Sequence, residues 1–483
     1  MTTDLERAVA RFGPTVDWHL EPETEPEGNP YDCAATVVFT DEATGEVRTT
    51  GLYWDGAGAW AFRFAPTREG RWTFAGRDLP AGLPAFEGRV TVGPPDTISG
   101  NAFVTARGNR WAWQATGQVL APQWVMYRQP DDLAAHIDAI PDDIETFLTR
   151  HGFHGFHVPV FCRWLDIDKQ AHTEFEDPDP NPDPRTFAVL ETLIRQVHQA
   201  GGMVHFWMWG DNDANHRQTP MRDDWGGING RVDRRLQRYL AARLGPLPGW
   251  TLGYGYDLEH WVSEEELAAW HRHLSGLLGW PHLLGARAGS PGRDGRIAQI
   301  CDGLDYAGYT QFRPTPGDYR ALMEANPQRP VLSEDRFRIR DSETHAAKDY
   351  DQTMTRRGLW HSWMVGGMGN IWGCFVGHSE ARGMSLPYPD AGVLLTCRRF
   401  FEDRFTIDLE PDPDRPAGAA LRSTDGRYWL LYAEDAGEIE LSGVPEGPAV
   451  AVDTCQPYKE LPVTLNGDSW QAPHVSDWAL AIG

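Results

Sequence analysis

The fold is decided by GFHVPVF at residues 155–161, RTFAVLETLIRQVHQAGG at 185–202 and GMVHFWMWG at 202–210. The two outer runs are short and apolar, which is typical of buried strands. The middle stretch has apolar residues at helical spacing and ends in glycine, and this pattern indicates a helix. The order strand, helix, strand predicts a β/α unit, and the same alternation continues on both sides of it.

Eight candidate strands follow this pattern, with helical stretches between most of them. They are GQVLAPQWVMY (117–127), GFHVPVF (155–161), GMVHFWMWG (202–210), WTLGYGYD (250–257), HLLGARA (282–288), DYAGYTQF (305–312), PVLSE (330–334) and GGMGNIWG (366–373). Ser263 and Glu266 form a capping box for one of the helices. Eight β/α units in about 260 residues match the size of a TIM barrel. A doubly wound sheet would carry a glycine-rich phosphate turn after its first strand, which the sequence lacks.

At both ends of the chain, polar and apolar residues alternate in short runs, as in β-strands. Near the N-terminus, AATVVF, AWAFRF and RWTF alternate in polarity and are separated by glycine-containing turns. The turn pairs Asp-Gly and Gly-Asp divide the C-terminal stretch in the same way. The sequence therefore predicts a multi-domain α/β protein with an N-terminal β-sandwich (1–96), a central (β/α)8 TIM barrel (97–399) and a small C-terminal β-sandwich (400–483).

Charge and composition limit the partners that the chain can have. Lys and Arg total 44 and Asp and Glu total 69, a net charge of −25 that argues against binding to nucleic acid or to anionic membranes. The sequence shows no membrane-length apolar run and no secretory signal, so we expect a cytoplasmic protein. Six cysteines without a CxxC pair predict reduced thiols. We expect a carbohydrate partner and neither cofactor nor metal, with a homo-oligomer left open.

Two strand ends carry the carboxylates that could perform chemistry, because the active sites of TIM barrels lie at the C-terminal ends of the strands. In strand four, alternation places Asp257 and Glu259 on the same face as the small residues of the strand. Strand seven ends at Glu334. A pair of carboxylates across an enclosed mouth is what glycoside hydrolysis requires, since one protonates the leaving oxygen and the other attacks the anomeric carbon or activates water.

Other strand ends supply flat rings and hydrogen-bonding groups that suit a sugar. The candidate substrate-binding residues are Arg163, Trp164, Asp166, Trp209, Asp211, Asn212, Arg287, Tyr309 and Trp372. The 21 tryptophans of the chain agree with sugar stacking, although wide aromatic rings equally suit a packed core.

The segments NPYDCAATVVF, GLYWDGAGAWAFRFAPTREGRWTF and GRVTV resemble the immunoglobulin-like domain that precedes the barrel in many bacterial proteins assigned as glycosidases. The barrel resembles the apiosidase-like group of clan A glycoside hydrolases. This resemblance implies a retaining enzyme of carbohydrate metabolism with Glu334 as nucleophile and Tyr309 as its hydrogen-bond partner. Most of the clan has Asn-Glu on strand four, whereas this chain has Tyr256-Asp257-Leu258-Glu259, so that Asp257 is the favoured acid and Glu259 the alternative.

Two other functions compete with this hypothesis. His151, His154, His157 and His205 could serve a metal-dependent barrel hydrolase, but the first two precede a strand, and His154 and His157 would point to opposite faces of it. A non-catalytic carbohydrate-binding protein is the second alternative, and the carboxylates at both strand ends argue against it. The sugar is not specified by the sequence, although small oligosaccharides or glycosides and exo action are favoured.

Overall fold

The computed structural model describes residues 5–95, 102–210, 220–255, 258, 261–288, 302–310, 314–333, 351–373 and 388–483. The N-terminal domain contains two sheets that pack face to face. Its strands are β1 (Leu5–Ala10), β2 (Val16–Leu20), β3 (Thr36–Asp41), β4 (Val47–Gly51), β5 (Tyr53–Trp54), β6 (Trp60–Phe64), β7 (Gly70–Arg77) and β8 (Glu87–Gly93). The sheet orders are β1-β8-β7-β3-β4 and β2-β6-β5. Trp18 of β2 stacks on Phe62 of β6 and contacts Phe74 of β7, so the predicted sandwich is confirmed.

A small antiparallel sheet lies between the sandwich and the barrel, formed by β9 (Val104–Arg107), β10 (Arg110–Trp113) and β11 (Val119–Leu120). It covers the N-terminal end of the barrel. The indole of Trp111 donates to the carbonyl oxygen of Val331, 3.1 Å away, and its ring contacts Trp124 and Tyr306. Since these partners are the first or second residues of three different barrel strands, Trp111 closes the end of the barrel opposite the predicted site.

Eight parallel strands close the central barrel in sequential order. They are β12 (Gln123–Met126), β13 (Gly155–Pro159), β14 (Met203–Trp209), β15 (Trp250–Gly255), β16 (Leu284–Ala288), β17 (Tyr306–Tyr309), β18 (Val331–Ser333) and β19 (Gly369–Trp372). The helices are α1 (Pro130–Ala135), α2 (Ile140–Ile144), α3 (Pro184–Gln199), α4 (Arg231–Leu244), α5 (Glu264–Leu277), α6 (Pro316–Ala325), α7 (Gln352–Met364) and α8 (Ala391–Phe401). Each predicted strand overlaps one barrel strand, and the predicted TIM barrel is confirmed.

The outer face of β15 carries large side chains that pack beneath the helices. The indole of Trp250 donates to the carbonyl oxygen of Leu244 at the end of α4. Tyr254 packs edge-to-face against Trp270 of α5. The helix α5 begins at the predicted capping box, in which Ser263 and Glu266 exchange hydrogen bonds between side chain and backbone.

The inner face of β15 carries glycine because neighbouring aromatic rings occupy the space. A Cβ atom at Gly253 would lie 2.9 Å from the hydroxyl of Tyr306 and 3.0 Å from Cδ1 of Trp207. At Gly255 it would lie 2.4 Å from the carbonyl oxygen of Trp209. The predicted alternation of small inner and large outer residues therefore holds along the described part of strand four.

The C-terminal domain is one six-stranded antiparallel sheet in the order β20-β21-β22-β25-β23-β24. Its strands are β20 (Leu409–Pro411), β21 (Ala420–Ser423), β22 (Trp429–Glu440), β23 (Gly447–Asp453), β24 (Leu461–Leu465) and β25 (Ser469–Ile482). The expected sandwich is thus built from a single continuous sheet. Its register shifts between Ala433 and Glu438, where such irregularities bend a strand. One face packs on the barrel, and the other encloses a separate core around Trp429 and Trp478.

Buried ion pairs attach the sandwich to the barrel. Arg63 of β6 lies 2.8 Å from Glu191 of α3 and 2.7 Å from Asp17 of β2. Arg243 of α4 also pairs with Glu191. Burial by itself would raise the pKa of Glu191, but hydrogen bonds and charges from both arginines hold that pKa below its usual value. The carboxylate is therefore ionised, and it joins two helices of the barrel to the sandwich.

An equivalent cluster attaches the C-terminal sheet. Asp477 of β25, which is 1% exposed, lies 2.6 Å from Arg356 and 2.7 Å from Arg357, both on α7. Burial opposes ionisation of Asp477, yet hydrogen bonds from Arg357 and Arg356 lower its pKa. Both terminal domains are thus attached to the barrel in the same way, by a carboxylate that pairs with two guanidinium groups.

Two smaller expectations concern membranes and thiols. No helix among the described residues is long and apolar enough to cross a membrane. Cys33, Cys162, Cys397 and Cys455 carry free thiols, as predicted, whereas Cys301 and Cys374 lie outside the described residues. The predicted domain boundary at 96/97 also falls in an undescribed stretch and stays a prediction, as does the boundary at 399/400.

Candidate active site

The three predicted catalytic carboxylates lie outside the described residues, together with Asp211 and Asn212. The strands that precede the carboxylates are described. Strand β15 ends at Gly255, two residues before Asp257, and β18 ends at Ser333, directly before Glu334. These strands are the fourth and seventh of the barrel. The two strands that precede the acids are therefore present as predicted, whereas the positions and the roles of the acids stay predictions.

Three buried polar side chains form a hydrogen-bonded chain across the barrel interior. Nδ1 of His157 on β13 lies 2.7 Å from Nδ1 of His205 on β14. Nε2 of His205 lies 2.8 Å from the hydroxyl of Tyr306 on β17. Burial lowers the pKa of His205 to about 3, so the ring is neutral at physiological pH. Two hydrogen bonds thus link three strands through the neutral ring of His205.

Aromatic and cationic side chains lie next to this chain, further toward the C-terminal ends of the strands. The ring of Trp207 packs edge-to-face on His157 with centroids 4.3 Å apart. The guanidinium of Arg287 lies over Trp207, 5.5 Å from its centroid. Trp209 follows two residues later on the same face of β14 and is fully buried. The structure therefore brings the predicted residues Arg287 and Trp209 to the interior face, together with Trp207, which the sequence did not single out.

Three predicted substrate-binding residues lie on the helix-facing side of the barrel wall instead. The indole of Trp164 donates to the carbonyl oxygen of Met208. The hydroxyl of Tyr309 accepts a hydrogen bond from Nδ2 of Asn326 at the end of α6, 2.8 Å away. Both side chains are fully buried. Tyr309 is thus held beneath a helix, on the face of β17 opposite Tyr306, and its expected partnership with Glu334 stays a prediction because residue 334 lies outside the described residues.

Trp372 is the third of these residues. Its indole donates to Oε1 of Gln123, 2.8 Å away, and its ring fills the space beside Gly358 of α7. Asn370, two residues earlier on the same face of β19, bonds to Ser362 of α7. Trp372 therefore packs between the barrel and a helix. The physical reason is that alternate residues of a strand share a face, so Trp372 faces α7 as Asn370 does.

Two predicted polar residues are engaged in ion pairs near the C-terminal end of β13. Arg163 is buried, and its Nε and Nη2 donate to the two carboxylate oxygens of Asp131 of α1 at 2.7 and 3.3 Å. Asp166 pairs with Arg185 of α3 at 3.0 Å. These contacts connect the segments that follow the first and second strands, so the two residues shape the edge of the barrel opening.

The backbone is strained at the same edge. Phe161, two residues after β13, has φ = 58°, a conformation that is costly for a bulky residue. Strained residues of this kind cluster at functional sites, because the surrounding structure must hold them there. This strain lies at the strand end where the sequence predicted substrate contacts.

The four histidines that could serve a metal, His151, His154, His157 and His205, do not converge on one point. His154 accepts from the backbone N–H of Gln123, and His151 contacts the carbonyl oxygen of Thr146, so only His157 and His205 come together. Within the described part of the chain, no three His, Cys, Asp or Glu side chains are placed to hold a metal ion.

A cavity of about 440 Å³ lies elsewhere, between the sandwich and the barrel. It is lined by Tyr31, Tyr53 and Tyr239 and by the C-terminal residues of α5. Helices run opposite to the strands in this fold, so the cavity is close to the N-terminal ends of the strands. Active sites of TIM barrels lie at the other end, and we assign this cavity no catalytic role.

Similarity to known proteins agrees with this architecture. Residues 11–77 match a domain of unknown function, DUF5060, which covers most of the sandwich. No curated protein matches the chain.

Solved structures match over much longer stretches. A candidate glycoside hydrolase from Bacteroides vulgatus ATCC 8482 has a TM-score of 0.76 at 15% identity, covering 98% of this chain and 99% of its own. A glycoside hydrolase family 5 protein from the same organism has a TM-score of 0.54 at 14% identity, covering 79% of this chain and 93% of its own. Another structure, described as a glycoside hydrolase, has a TM-score of 0.55 at 12% identity, covering 79% and 97%. The chain thus shares its complete three-domain fold with a solved protein.

Proposed function

We propose that this protein is a glycoside hydrolase that cleaves small oligosaccharides or glycosides, with retention of anomeric configuration and exo action. The observation that carries the proposal is the similarity of the whole chain to a candidate glycoside hydrolase, including both terminal domains. The described ends of β15 and β18 support it, because a carboxylate follows within two residues of each, at a position where TIM barrels hold their catalytic groups.

In the proposed reaction, Glu334 attacks the anomeric carbon while Asp257 protonates the departing glycosidic oxygen. The resulting glycosyl ester on Glu334 is then hydrolysed by a water molecule that gives its proton to Asp257, which restores both groups. Glu259 is the alternative acid. Retention requires the two catalytic carboxyl groups to lie ~5–5.5 Å apart, whereas ~6.5–9.5 Å would indicate inversion. The anomer released at early times, followed by NMR, distinguishes the two outcomes directly.

The nucleophile is tested by Glu334→Gln, assayed on a panel of aryl glycosides. We expect kcat to fall by roughly 10³-fold or more, since no covalent intermediate can form. Glu324→Gln, on the exposed face of α6, is the matched control and should keep wild-type kcat. Near-normal turnover by Glu334→Gln would reject this residue as nucleophile. Sugar binding without turnover by the wild-type protein across a broad panel would favour the carbohydrate-binding alternative.

The acid is tested by comparing Asp257→Asn with Glu259→Gln on two classes of substrate. General acid catalysis contributes roughly 10²–10⁴-fold where the leaving group is poor and little where it is activated. We expect Asp257→Asn to lose much more activity on alkyl glycosides than on nitrophenyl glycosides, and Glu259→Gln to show a smaller, uniform loss. The reverse pattern would assign the acid to Glu259, and no dependence in either variant would contradict a two-carboxylate mechanism.

A further inference from the structure

The hydrogen-bonded chain in the barrel interior restricts where its protons can be. His157 and His205 approach each other through their Nδ1 atoms at 2.7 Å, a distance at which one of the two nitrogens must donate and the other accept. His205 contacts Tyr306 through its other nitrogen, Nε2, at 2.8 Å. A neutral imidazole has one N–H donor and one acceptor. If one ring nitrogen of His205 donates a hydrogen bond, the other must therefore accept one.

Only two arrangements satisfy these contacts when both rings are neutral. In the first, Tyr306 donates to Nε2 of His205, Nδ1–H of His205 donates to Nδ1 of His157, and His157 carries its proton on Nε2. In the second, every donor and acceptor is reversed, and His157 has a bare Nε2. The two arrangements present opposite chemistry at His157, a hydrogen-bond donor in one and an acceptor in the other.

The donor and acceptor strengths of the Tyr306 phenol and the His205 imidazole distinguish the two arrangements. A phenolic O–H is a better donor than the N–H of a neutral imidazole, and an imidazole nitrogen is a better acceptor than a phenolic oxygen. We propose that Tyr306 and His205 are positioning residues that hold His157 in the tautomer with its proton on Nε2. The depressed pKa of His205, which burial lowers to about 3, agrees with a neutral ring in this role.

The packing around His157 keeps this donor in a fixed orientation. Its ring lies against Trp207, which is in turn covered by the guanidinium of Arg287. His157 and His205 are directly paired in register on adjacent strands, so the backbone also fixes their separation. If the proposed glycosidase function holds, Tyr306 and His205 act indirectly, by fixing the protonation of a buried ring that lies against Trp207.

The tautomers can be read without any substrate. Long-range ¹H–¹⁵N correlation spectra of protein labelled with [¹⁵N]histidine distinguish pyrrole-type from pyridine-type ring nitrogens, and His157→Gln and His205→Gln assign the signals. We expect a pyrrole-type Nε2 and pyridine-type Nδ1 for His157, and the opposite pattern for His205. The reversed patterns would overturn the proposal, as would two pyrrole-type nitrogens on His157, the signature of an imidazolium.

The role of Tyr306 is tested by Tyr306→Phe, with Tyr254→Phe as the matched control. Tyr254 is also fully buried on a barrel strand, but its hydroxyl bonds to no described residue and lies outside the barrel. We expect Tyr306→Phe to shift the ¹⁵N signals of both His157 and His205 toward mixed tautomers, and Tyr254→Phe to leave them unchanged. Unchanged signals in Tyr306→Phe would contradict the positioning role. Because no turnover is needed, this result is independent of whether the protein proves to be a glycosidase.

Discussion

The barrel interior and the junction between the sandwich and the barrel both bury ionisable side chains, but they keep them in opposite charge states. In the interior, burial alone lowers the pKa of His205 to about 3, and no charged group contributes to that shift. At the junction, Glu191 is almost as deeply enclosed, yet Arg63 and Arg243 hold its pKa below the usual value. Burial therefore does not set the charge of a group by itself, because the charge of its partners decides whether the ionised form survives.

The two regions should therefore differ in how well they tolerate the loss of one side chain. Removing one member of a buried ion pair leaves an uncompensated charge in the interior, which is strongly destabilising. Removing one member of a neutral chain leaves an unpaired donor or acceptor, which costs less. The junction should therefore control the stability of the protein more strongly than the chain of His157, His205 and Tyr306.

The largest effect is expected from Glu191→Gln. This change removes the charge between Arg63 and Arg243 and should lower the free energy of unfolding by about 3–5 kcal/mol, measured by urea denaturation. Glu324→Gln breaks the exposed pair with Arg320 and should change stability by less than about 1 kcal/mol. A loss below about 1 kcal/mol for Glu191→Gln would remove the contrast between the two regions.

The pH dependence of stability distinguishes the regions next. The pKa of His205 is depressed from 6.5 to about 3, so below pH 6.5 the unfolded chain binds a proton that the folded one does not, and stability falls as pH falls. Between pH 6.5 and 4.5 this one group accounts for about 2.3 kcal/mol. His205→Gln should lose that part of the slope.

Glu191 provides the comparison for this measurement. Its pKa is lowered from 4.5, so its contribution is present above that pH and is lost as pH falls through the folded-state value. Glu191→Gln should therefore keep the wild-type slope between pH 6.5 and 5 and depart from it only under more acidic conditions. Equal slopes for wild type and His205→Gln above pH 4.5 would show that the interior ring is not neutral in the folded state.

A smaller effect is expected from Tyr306→Phe, which leaves Nε2 of His205 without the hydroxyl 2.8 Å away. We expect a loss of about 2 kcal/mol in unfolding free energy. In Tyr254→Phe the lost hydroxyl has no partner among the described residues, and stability should stay the same or rise slightly. Equal losses in the two variants would mean that the hydrogen bond to His205 contributes nothing specific.

The smallest effect concerns salt. A double-mutant cycle between Glu191 and Arg243 should give the same coupling energy at 0.1 M and 1 M NaCl, because both side chains are buried and poorly screened. The coupling between Arg320 and Glu324, about 0.5 kcal/mol at most, should fall toward zero at high salt. A strong salt dependence at Glu191 would show that water reaches the junction.

The architecture could be predicted from the sequence because its signals are local. The alternation of strand four follows from adjacent residues, and the structure keeps Trp250 and Tyr254 outside and Gly253 inside. The capping box of α5 requires only Ser263 and Glu266. Periodicity, capping and turn residues act within a few positions along the chain, so the sequence by itself determined the eight strands, the helix start and the β texture of both ends.

The candidate site depended on contacts between distant positions, which the sequence does not display. Trp209 and Trp372 both end barrel strands, yet one lies on the interior face and the other beneath α7. His157 and His205 are 48 residues apart, and only closure of the barrel brings their Nδ1 atoms together. Pairing across strands sets the face of each residue and its neighbours, and for that reason only the tertiary structure decided that these histidines form a hydrogen-bonded chain with Tyr306.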